Sequence, residues 1–386
     1  MQSSWLPNMT SGTRWFPAPR SPSIEPRMKI VDVAIQPCVQ RLRDPSWKFA
    51  RATVPHLEGH VVTLTDEDGV RGSGYVHAIP AITTHGDGAA AALALLSPLL
   101  LQRRVDELSA LIEQIDATLA FQPSAKAGID MALHDLMARR LGVPIHVLLG
   151  GKLRDAIPQA RILAIKSPVD MARQAVCRVE EGFGQLKLKL SGDTALDVQR
   201  VATVRDAVGH GVQLTLDPNQ SYAAKSFMRA FAQMERHDIC LVEQPVPAAD
   251  WAGLALLTQS LPVAIEADES AQTVHDVFRL VADRVVDVIN LKPTKLGGLR
   301  RFVQAVQICE AGNVVCRVGA TFGPALLQAM NVQAASVLKA MPYACELSEH
   351  QHLLDDPFTE LPVTEGLIAV PGGPGCGIGW ASEPQH

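Results

Sequence analysis

Three acidic residues end short apolar segments at nearly constant intervals in the second half of the chain. Asp217, Glu243 and Asp268 are 26 and 25 residues apart, and Lys292 follows 24 residues later. One strand and one helix of a parallel barrel take up about this length, and the carboxyl ends of such strands meet at one rim. We therefore expect the four charged side chains to converge on a single site.

Converging carboxylates repel one another unless a hard cation lies among them. Oxygen ligands without His or Cys favour Mg²⁺, with Mn²⁺ as the alternative, over zinc. The competing interpretation is that each acid caps the following helix or pairs with a surface arginine. The shared spacing of Asp217, Glu243 and Asp268 favours their assignment as metal ligands.

Lysines end two of the apolar segments that flank these acids. Lys187 and Lys189 are two residues apart in QLKLKL, and therefore on the same face of a strand, while Lys292 ends VDVINLK. A buried ammonium without a partner is costly, so these lysines serve either catalysis or charge balance. Crowding of Lys187 against Lys189 is expected to lower the proton affinity of one of them, as a lysine base requires. We interpret Lys189 and Lys292 as acid/base residues and Lys187 as a residue that tunes its neighbour.

The segments that carry these side chains alternate with amphipathic helices after Gly151, which is typical of parallel βα units. Eight candidate strands occur, at residues 159–165, 185–190, 213–219, 239–245, 263–269, 286–293, 314–320 and 343–349. They predict an α/β chain with a (β/α)7–8 TIM-like barrel. An open doubly wound sheet would show a glycine-rich phosphate turn after its first strand, and the sequence has none.

The rest of the chain predicts an α+β capping domain in front of the barrel. Residues 28–150 begin with a strand and a hairpin that turns at DEDG, and helical spacing follows over residues 87–118 and 124–141. We expect residues 355–386 to complete this domain, which leaves 151–354 for the barrel. Residues 1–27 are rich in Pro, Ser and Arg, lack the apolar core of a secretory signal, and are expected to be disordered.

Composition excludes several classes of function. A net charge of −5 gives no basic surface for nucleic acid or for an anionic membrane, and no apolar run is long enough to span a bilayer. The seven cysteines are scattered without a CxxC pair, which argues against disulfides and a zinc site and fits a reducing cytoplasm. We expect a cytoplasmic homo-oligomer that acts on a small-molecule carboxylate.

The segments LKLKL, TLDPN, VEQP, EADES and NLKPTKLGGL resemble, in order and spacing, the barrel signature of the muconate-lactonizing subgroup of the enolase superfamily. The resemblance extends over residues 28–380, and 127–151 is similar to that family's helix leading into the barrel. It implies metal ligands at Asp217, Glu243 and Asp268 and an acid/base pair at Lys189 and Lys292. The mandelate-racemase-like branch has a His on strand seven, which VVCRVGATFG lacks.

Two departures from the family pattern bear on the substrate. Tyr75 stands where many relatives have a Glu, and CELSEH at strand eight lacks the Asp-x-Asp with which dipeptide epimerases hold a substrate amine, which makes dipeptide epimerisation less favoured. Glu346 and Glu349 either meet a cationic substrate group or form ion pairs at the rim. We expect Asn219 to orient a metal ligand and Glu269 to orient Lys292. The loops 41–49 and 75–88 are expected to cover the mouth of the barrel, with Trp47 in the first loop as a hydrophobic wall.

The resemblance implies Mg²⁺-dependent removal of the proton next to a substrate carboxylate, through an enediolate intermediate. Reprotonation from the other face gives a racemase or epimerase, which we favour, for an amino-acid derivative that is proline-like or N-acylated. Loss of a β-hydroxyl gives a dehydratase of a hydroxyproline or hydroxy acid, and lactone closure gives a cycloisomerase. A non-catalytic binding barrel is the alternative from a different class.

Overall fold

An antiparallel sheet covered by helices forms the N-terminal part of the computed structural model, which describes residues 28–80 and 82–382. Its strands are β1 (Ile30–Arg41), the short hairpin β2 (Lys48–Phe49) and β3 (Ala52–Thr53), β4 (His56–Asp66) and β5 (Arg71–Ala78). β1, β4 and β5 pair in that order, and the helices are α1 (Gly86–Leu96), α2 (Leu108–Thr118), α3 (Pro123–Leu141) and α4 (Ile145–Leu148). Helix α3 lies close against β5 because Gly74 has no Cβ, which would stand 2.0 Å from the carbonyl oxygen of Gly128.

The helical spacing predicted over residues 87–118 is wrong in its middle. After α1 the chain forms a 3₁₀ turn at Ser97–Leu99, and Gln102 takes a left-handed φ of 63° before α2 begins. Pro98 lacks the N–H that a continuing helix needs, and its ring clashes with the preceding turn. The apolar period survives the break because residues of both helices pack into the same hydrophobic core.

The barrel follows β6 (Ala156–Pro158) as seven parallel strands. They are β7 (Ala160–Leu163), β8 (Gln185–Lys189), β9 (Gln213–Asp217), β10 (Ile239–Glu243), β11 (Ala264–Ala267), β12 (Val288–Asn290) and β13 (Val315–Arg317), paired in chain order. The helices are α5 (Pro168–Glu180), α6 (Thr194–Val208), α7 (Ala224–Met234), α8 (Trp251–Ser260), α9 (Val274–Ala282), α10 (Pro293–Leu296), α11 (Leu299–Ala311) and α12 (Ala325–Ala335). The predicted barrel fold is confirmed.

The eighth predicted strand, at 343–349, closes the barrel through a few hydrogen bonds instead of a regular ladder. Cys345 bridges in parallel to Gln159, the Ala160 N–H donates to the Cys345 carbonyl at 2.7 Å, and the Glu346 N–H donates to the Val318 carbonyl at 3.0 Å. This segment therefore lies between β7 and β13 and completes a ring of eight.

The C-terminal segment returns to both parts of the molecule. Strand β14 (Leu367–Ala369) pairs antiparallel with β6, the Ile145 N–H donates to the Gly375 carbonyl at 2.9 Å, and the Cys376 N–H donates to Asp135 Oδ1 of α3 at 2.7 Å. The boundaries at 150/151 and 354/355 stay a prediction. The expectation of disorder for residues 1–27 lies outside the described residues. Within the described part of the chain, no helix combines the length and apolar character that crossing a bilayer requires.

Gly298 is the glycine whose replacement we expect to destabilise the fold most clearly. Its φ of 129° belongs to a region that only glycine adopts readily, and an added Cβ would lie 2.2 Å from Cγ of Asp130. Asp130 Oδ1 accepts the Leu299 N–H at 2.5 Å at the start of α11, so the clash would also disturb this contact between the two domains.

Gly298→Ala should lower the free energy of unfolding by at least about 3 kcal/mol, measured by chemical denaturation. Gly142→Ala is the matched control, because its φ is 68° and nothing lies within 4 Å of the added Cβ. Strain alone should cost it about 1 kcal/mol. Equal losses in the two variants would show that the close approach to Asp130 has no effect.

Candidate active site

A cavity of about 310 Å³ lies where the carboxyl ends of the barrel strands meet the loops of the first domain. Its charged lining consists of Arg51, Lys187, Lys189, Asp268, Glu269, Lys292 and Lys295. Its apolar lining includes Trp47, Phe49, Val54, Ile79, Ile82 and Phe322. One wall of the cavity is thus charged and the other apolar, and both loops predicted to cover the mouth, 41–49 and 75–88, reach it.

Lys189 and Lys292 stand on opposite sides of this cavity. Lys189 ends β8, Lys292 follows β12, and three strands separate these two in a ring of eight. Lys189 Nζ lies 2.5 Å from Asp217 Oδ2, and Lys292 Nζ lies 2.6 Å from Asp268 Oδ2. Each lysine that the sequence assigned to acid/base chemistry therefore contacts one of the predicted metal ligands.

Lys187 lies one layer deeper and contacts three carboxylates. Its Nζ is 2.6 Å from Glu346 Oε2, 3.0 Å from Glu243 Oε2 and 3.3 Å from Asp217 Oδ2. The sequence predicted a lowered proton affinity for one of Lys187 and Lys189, and Lys187 is not that residue. Burial does lower its pKa, but Glu243, Glu346 and Asp217 outweigh burial and hold the pKa well above the usual lysine value.

Arg317 is a central charged residue that the sequence reasoning missed. Its guanidinium is 1% exposed and binds Glu266 through Nε and Nη2, both at 2.8 Å. Nη1 donates to Glu346 at 2.8 Å, and Nη2 also donates to Glu243 at 2.9 Å. The sequence did contain a signal for this cluster: an arginine inside the apolar segment VVCRV, and an acid, Glu266, to which no role had been assigned.

Two further residues at the site were not anticipated. Lys295 Nζ lies 2.6 Å from Asp268 Oδ1, and Asn290 Nδ2 donates to Glu243 Oε1 at 3.1 Å. Burial raises the pKa of Asp268, but Lys292 and then Lys295 outweigh it and hold the pKa well below the usual range. Lys295 lies in the turn of α10, three residues after Lys292, which is the spacing that places both ammonium groups on one carboxylate.

Asn219 and Glu269 lie together at the mouth. Asn219 Nδ2 donates to Glu269 Oε1 at 3.4 Å, and the Asn219 N–H donates to Asp217 Oδ1 at 2.9 Å. Burial, followed by repulsion from Asp268 and Asp217, raises the pKa of Glu269. Lys292 donates its hydrogen bond to Asp268, and its interaction with Glu269 is purely electrostatic in this structure.

The other candidates differ in their access to the cavity. Trp47 lies in its wall, 4% exposed, with its ring edge-on to Phe322 at a centroid distance of 4.6 Å. Both oxygens of Glu346 are engaged by Lys187 and Arg317, so its contacts favour the ion pair over a cationic substrate group. Glu349 and Tyr75 are fully buried away from the lining.

The donor set fits a hard divalent cation in its chemistry. Within residues 28–80 and 82–382 no group of three or more His, Cys, Asp or Glu side chains is arranged to hold a metal as it stands, and ammonium groups lie against the three predicted ligands. The ammonium of Lys187, however, contacts Asp217 and Glu243 together, so one cation already bridges two of them. Asn219 Oδ1 and Glu269 Oε2 are buried without a hydrogen-bond partner, and Mg²⁺ prefers oxygen atoms of this kind.

Glu349 should give the protein a distinct pH dependence. Burial raises the pKa of this carboxyl from 4.5 to about 7, and its oxygens accept no hydrogen bond among the described residues. Because the folded-state pKa is raised, the stability from this group is fully present below the unfolded pKa and is lost as pH rises through about 7.

Glu349→Gln should therefore unfold at a higher temperature than the parent protein at pH 8, and the difference should nearly vanish at pH 4.5. The shift corresponds to at most about 3 kcal/mol at high pH. Glu180→Gln, at an exposed position of α5, is the control. A Glu349→Gln curve parallel to that of the parent protein between these pH values would contradict the raised pKa.

Comparisons with known proteins identify the family of this chain. A family model described as Enolase C-terminal domain-like matches residues 170–383, and one described as Mandelate racemase / muconate lactonizing enzyme, N-terminal domain matches residues 30–150. The chain is 33% identical over 360 residues to L-Ala-D/L-Glu epimerase of Bacillus subtilis, with 91% of this chain and 97% of the relative covered.

Two further comparisons concern a different reaction and a solved structure. The chain is 31% identical over 287 residues to muconate cycloisomerase 1 of Rhodococcus opacus, with 73% of this chain and 76% of the relative covered. The crystal structure of a dipeptide epimerase from Enterococcus faecalis V583, complexed with Mg and the dipeptide L-Leu-L-Tyr, superposes with a TM-score of 0.87 at 30% identity, covering 91% of this chain and 99% of that one. These matches confirm the predicted family: the chain is an enzyme of the enolase superfamily and belongs to its mandelate racemase/muconate lactonizing enzyme family.

Proposed function

We propose that this enzyme racemises or epimerises an N-acylated or proline-like amino acid by removing and returning the proton next to its carboxylate. The observation that carries the proposal is the placement of Lys189 and Lys292 on opposite sides of one cavity. A base on each face of a planar carbon lets either enantiomer lose its proton to one lysine and regain a proton from the other.

The residues that would hold a Mg²⁺ ion, or Mn²⁺, are Asp217, Glu243 and Asp268. When bound, the ion would offset the negative charge that grows on the substrate carboxylate as the proton leaves. Lys187, Arg317 and Asn290 fix the carboxylate of Glu243 from below by hydrogen bonds of 2.9 to 3.1 Å. These contacts restrict the orientation of Glu243, as the partners of metal ligands generally do.

Lys189 and Lys292 would hold and move the proton themselves. Lys189 Nζ also lies 5.9 Å from the ring centroid of Phe49, at the outer limit of a cation–π contact, on the apolar side of the cavity. The apolar side chains above it exclude water from the carbon that reacts, which protects it from unproductive proton exchange.

The lining favours a substrate whose nitrogen is acylated. Of the described residues that line the cavity, Asp268 and Glu269 supply the carboxylates. Asp268 is already paired with two lysines, and the free oxygen of Glu269 is of the kind that Mg²⁺ prefers. Glu346 is bound by Lys187 and Arg317, so strand eight offers no free acid to a substrate amine. The apolar wall around Trp47 and Phe322 suits an acyl group or an apolar side chain. A dipeptide is itself an N-acylated amino acid, and the relatives named as dipeptide epimerases support this class.

Cycloisomerisation is a second candidate, because the chain is 31% identical to a muconate cycloisomerase. That reaction needs one acid/base group at the carbon next to the carboxylate, whereas racemisation needs one on each face. The variants described below separate the two.

Mg²⁺ should stabilise the fold, because the carboxylates bind the ion only when they are brought together. About 5 mM MgCl₂ should raise the melting temperature by a few degrees. Glu243→Gln should abolish most of this rise, whereas Glu349→Gln should keep it, because Glu349 is not one of the three proposed ligands and has no hydrogen bond to any of them. An undiminished rise in Glu243→Gln would remove Glu243 from the site.

Lys189→Ala and Lys292→Ala should fail in mirror-image ways. Both variants should lose racemisation at least about 10³-fold, yet each should exchange deuterium from solvent into one enantiomer only, the one whose proton faces the remaining lysine. Proton NMR of each pure enantiomer in D₂O with Mg²⁺ measures this exchange. Lys225→Ala, at an exposed position of α7, is the control.

Loss of exchange with both enantiomers in one variant, while the other variant keeps exchange without a mirror-image preference, would indicate one-base chemistry, as in a cycloisomerase or dehydratase. Near-normal turnover in both variants would contradict the assignment of the two lysines.

A further inference from the structure

A second cavity, of about 470 Å³, lies beside the first on the outer side of β7. Trp47 and Ile162 line both cavities and form the wall between them. The second cavity is closed by the loop that carries Arg43 and by the turn that carries Gln351 and His352. It takes no part in the chemistry proposed above.

Arg161 is the unusual feature of this cavity. Its side chain projects from β7, is 2% exposed and lines the space. Nη1 donates to the carbonyl and the hydroxyl of Ser348 at 2.8 and 3.0 Å, but Nε has no hydrogen-bond partner. Among the described residues no carboxylate oxygen lies within ion-pair distance of this guanidinium. A buried, unpaired guanidinium is costly, and burial lowers the pKa of Arg161 to about 10.

The other charges around the cavity leave Arg161 without a counter-ion. Asp44 is bound by Lys166 at 2.7 Å, and Glu181 is bound by Arg178 at 2.5 Å. Arg43 reaches the cavity and donates through Nε to the Gln351 carbonyl at 3.1 Å, and it forms no ion pair within the described part of the chain. The nearby Glu349 interacts with Arg161 only at longer range.

We propose that this second cavity binds an oxyanion, a carboxylate or phosphate group, between Arg161 and Arg43. Planar guanidinium groups bind such anions through paired, charge-assisted hydrogen bonds. The anion is either free in solution or a distal group of the substrate that reaches past Trp47, and the latter source rests on the function proposed above. In both cases it would hold the loop that carries Arg43 and Trp47 against the barrel.

Binding of inorganic phosphate, measured by calorimetry and by the rise in melting temperature, tests the site without turnover. Phosphate should bind the parent protein, Arg161→Met should weaken it at least about tenfold, and Arg43→Gln should weaken it about threefold or more. Arg173→Gln, at an exposed ion pair of α5, should bind like the parent protein. Arg43 is exposed, so Arg43→Gln keeps the test valid even where Arg161→Met fails to fold.

A second measurement identifies the source of the anion. N-succinyl and N-acetyl derivatives of one amino acid differ by a distal carboxylate, and kcat/KM for each is compared between the parent protein and Arg43→Gln. A selective loss for the succinyl compound supports the substrate's own carboxylate, and phosphate binding without such a loss supports a free anion. Two results would overturn the proposal. One is phosphate binding that is unchanged in both arginine variants. The other is no phosphate binding by the parent protein, together with an equal change in kcat/KM for the succinyl and acetyl compounds in Arg43→Gln. Because the phosphate experiment needs no turnover, its result stands even where the proposed function fails.

Discussion

Like charges enclosed at one end of a barrel need opposite charges close by, and this constraint shapes the interior of the protein. The described interior holds the carboxylates Asp217, Glu243, Glu266, Asp268 and Glu346 against the cations Lys187, Lys189, Lys292, Lys295 and Arg317. Arg317 and Lys187 neutralise the deeper carboxylates. Lys189 pairs with Asp217, which Lys187 also contacts, and Lys292 and Lys295 both pair with Asp268. Buried pairs of this kind contribute little net stability compared with apolar packing, so their value lies in the geometry that they fix.

The first domain completes the site that the barrel strands begin. Strands end in charges, and most of the apolar wall comes from the hairpin β2–β3 and the loops around Trp47 and Ile79, with Phe322 contributed by the barrel. Helix α3 holds this domain to the barrel, through Asp130 at the start of α11 and Asp135 at the C-terminal segment. The reacting carbon would therefore lie between the charged ends of the barrel strands and a cover that comes mainly from the first domain. Substitutions in this cover can change the substrate preference without altering the residues that move the proton.

The sequence predicted the elements well and their side-chain contacts less well. Parallel strands repeat at a fixed interval, so Asp217, Glu243, Asp268 and Lys292 could be placed at one rim from spacing alone. The contacts of Arg317 depend on which strands face one another across the barrel, which no local pattern records. The break between α1 and α2 was missed because apolar spacing continues through Pro98, and the engagement of Glu346 could not be seen without its partner on β13.

The central claim is that Lys189 and Lys292, at the mouth of the barrel, remove and return the proton on the carbon next to a substrate carboxylate. Proton NMR in D₂O on a set of enantiopure N-acylated amino acids, proline derivatives and dipeptides measures this directly. We predict Mg²⁺-dependent loss of the α-proton signal for at least one compound, together with formation of its opposite stereoisomer, and no loss after metal chelation. Stable α-proton signals across the whole set, in a protein shown to bind Mg²⁺, would contradict it.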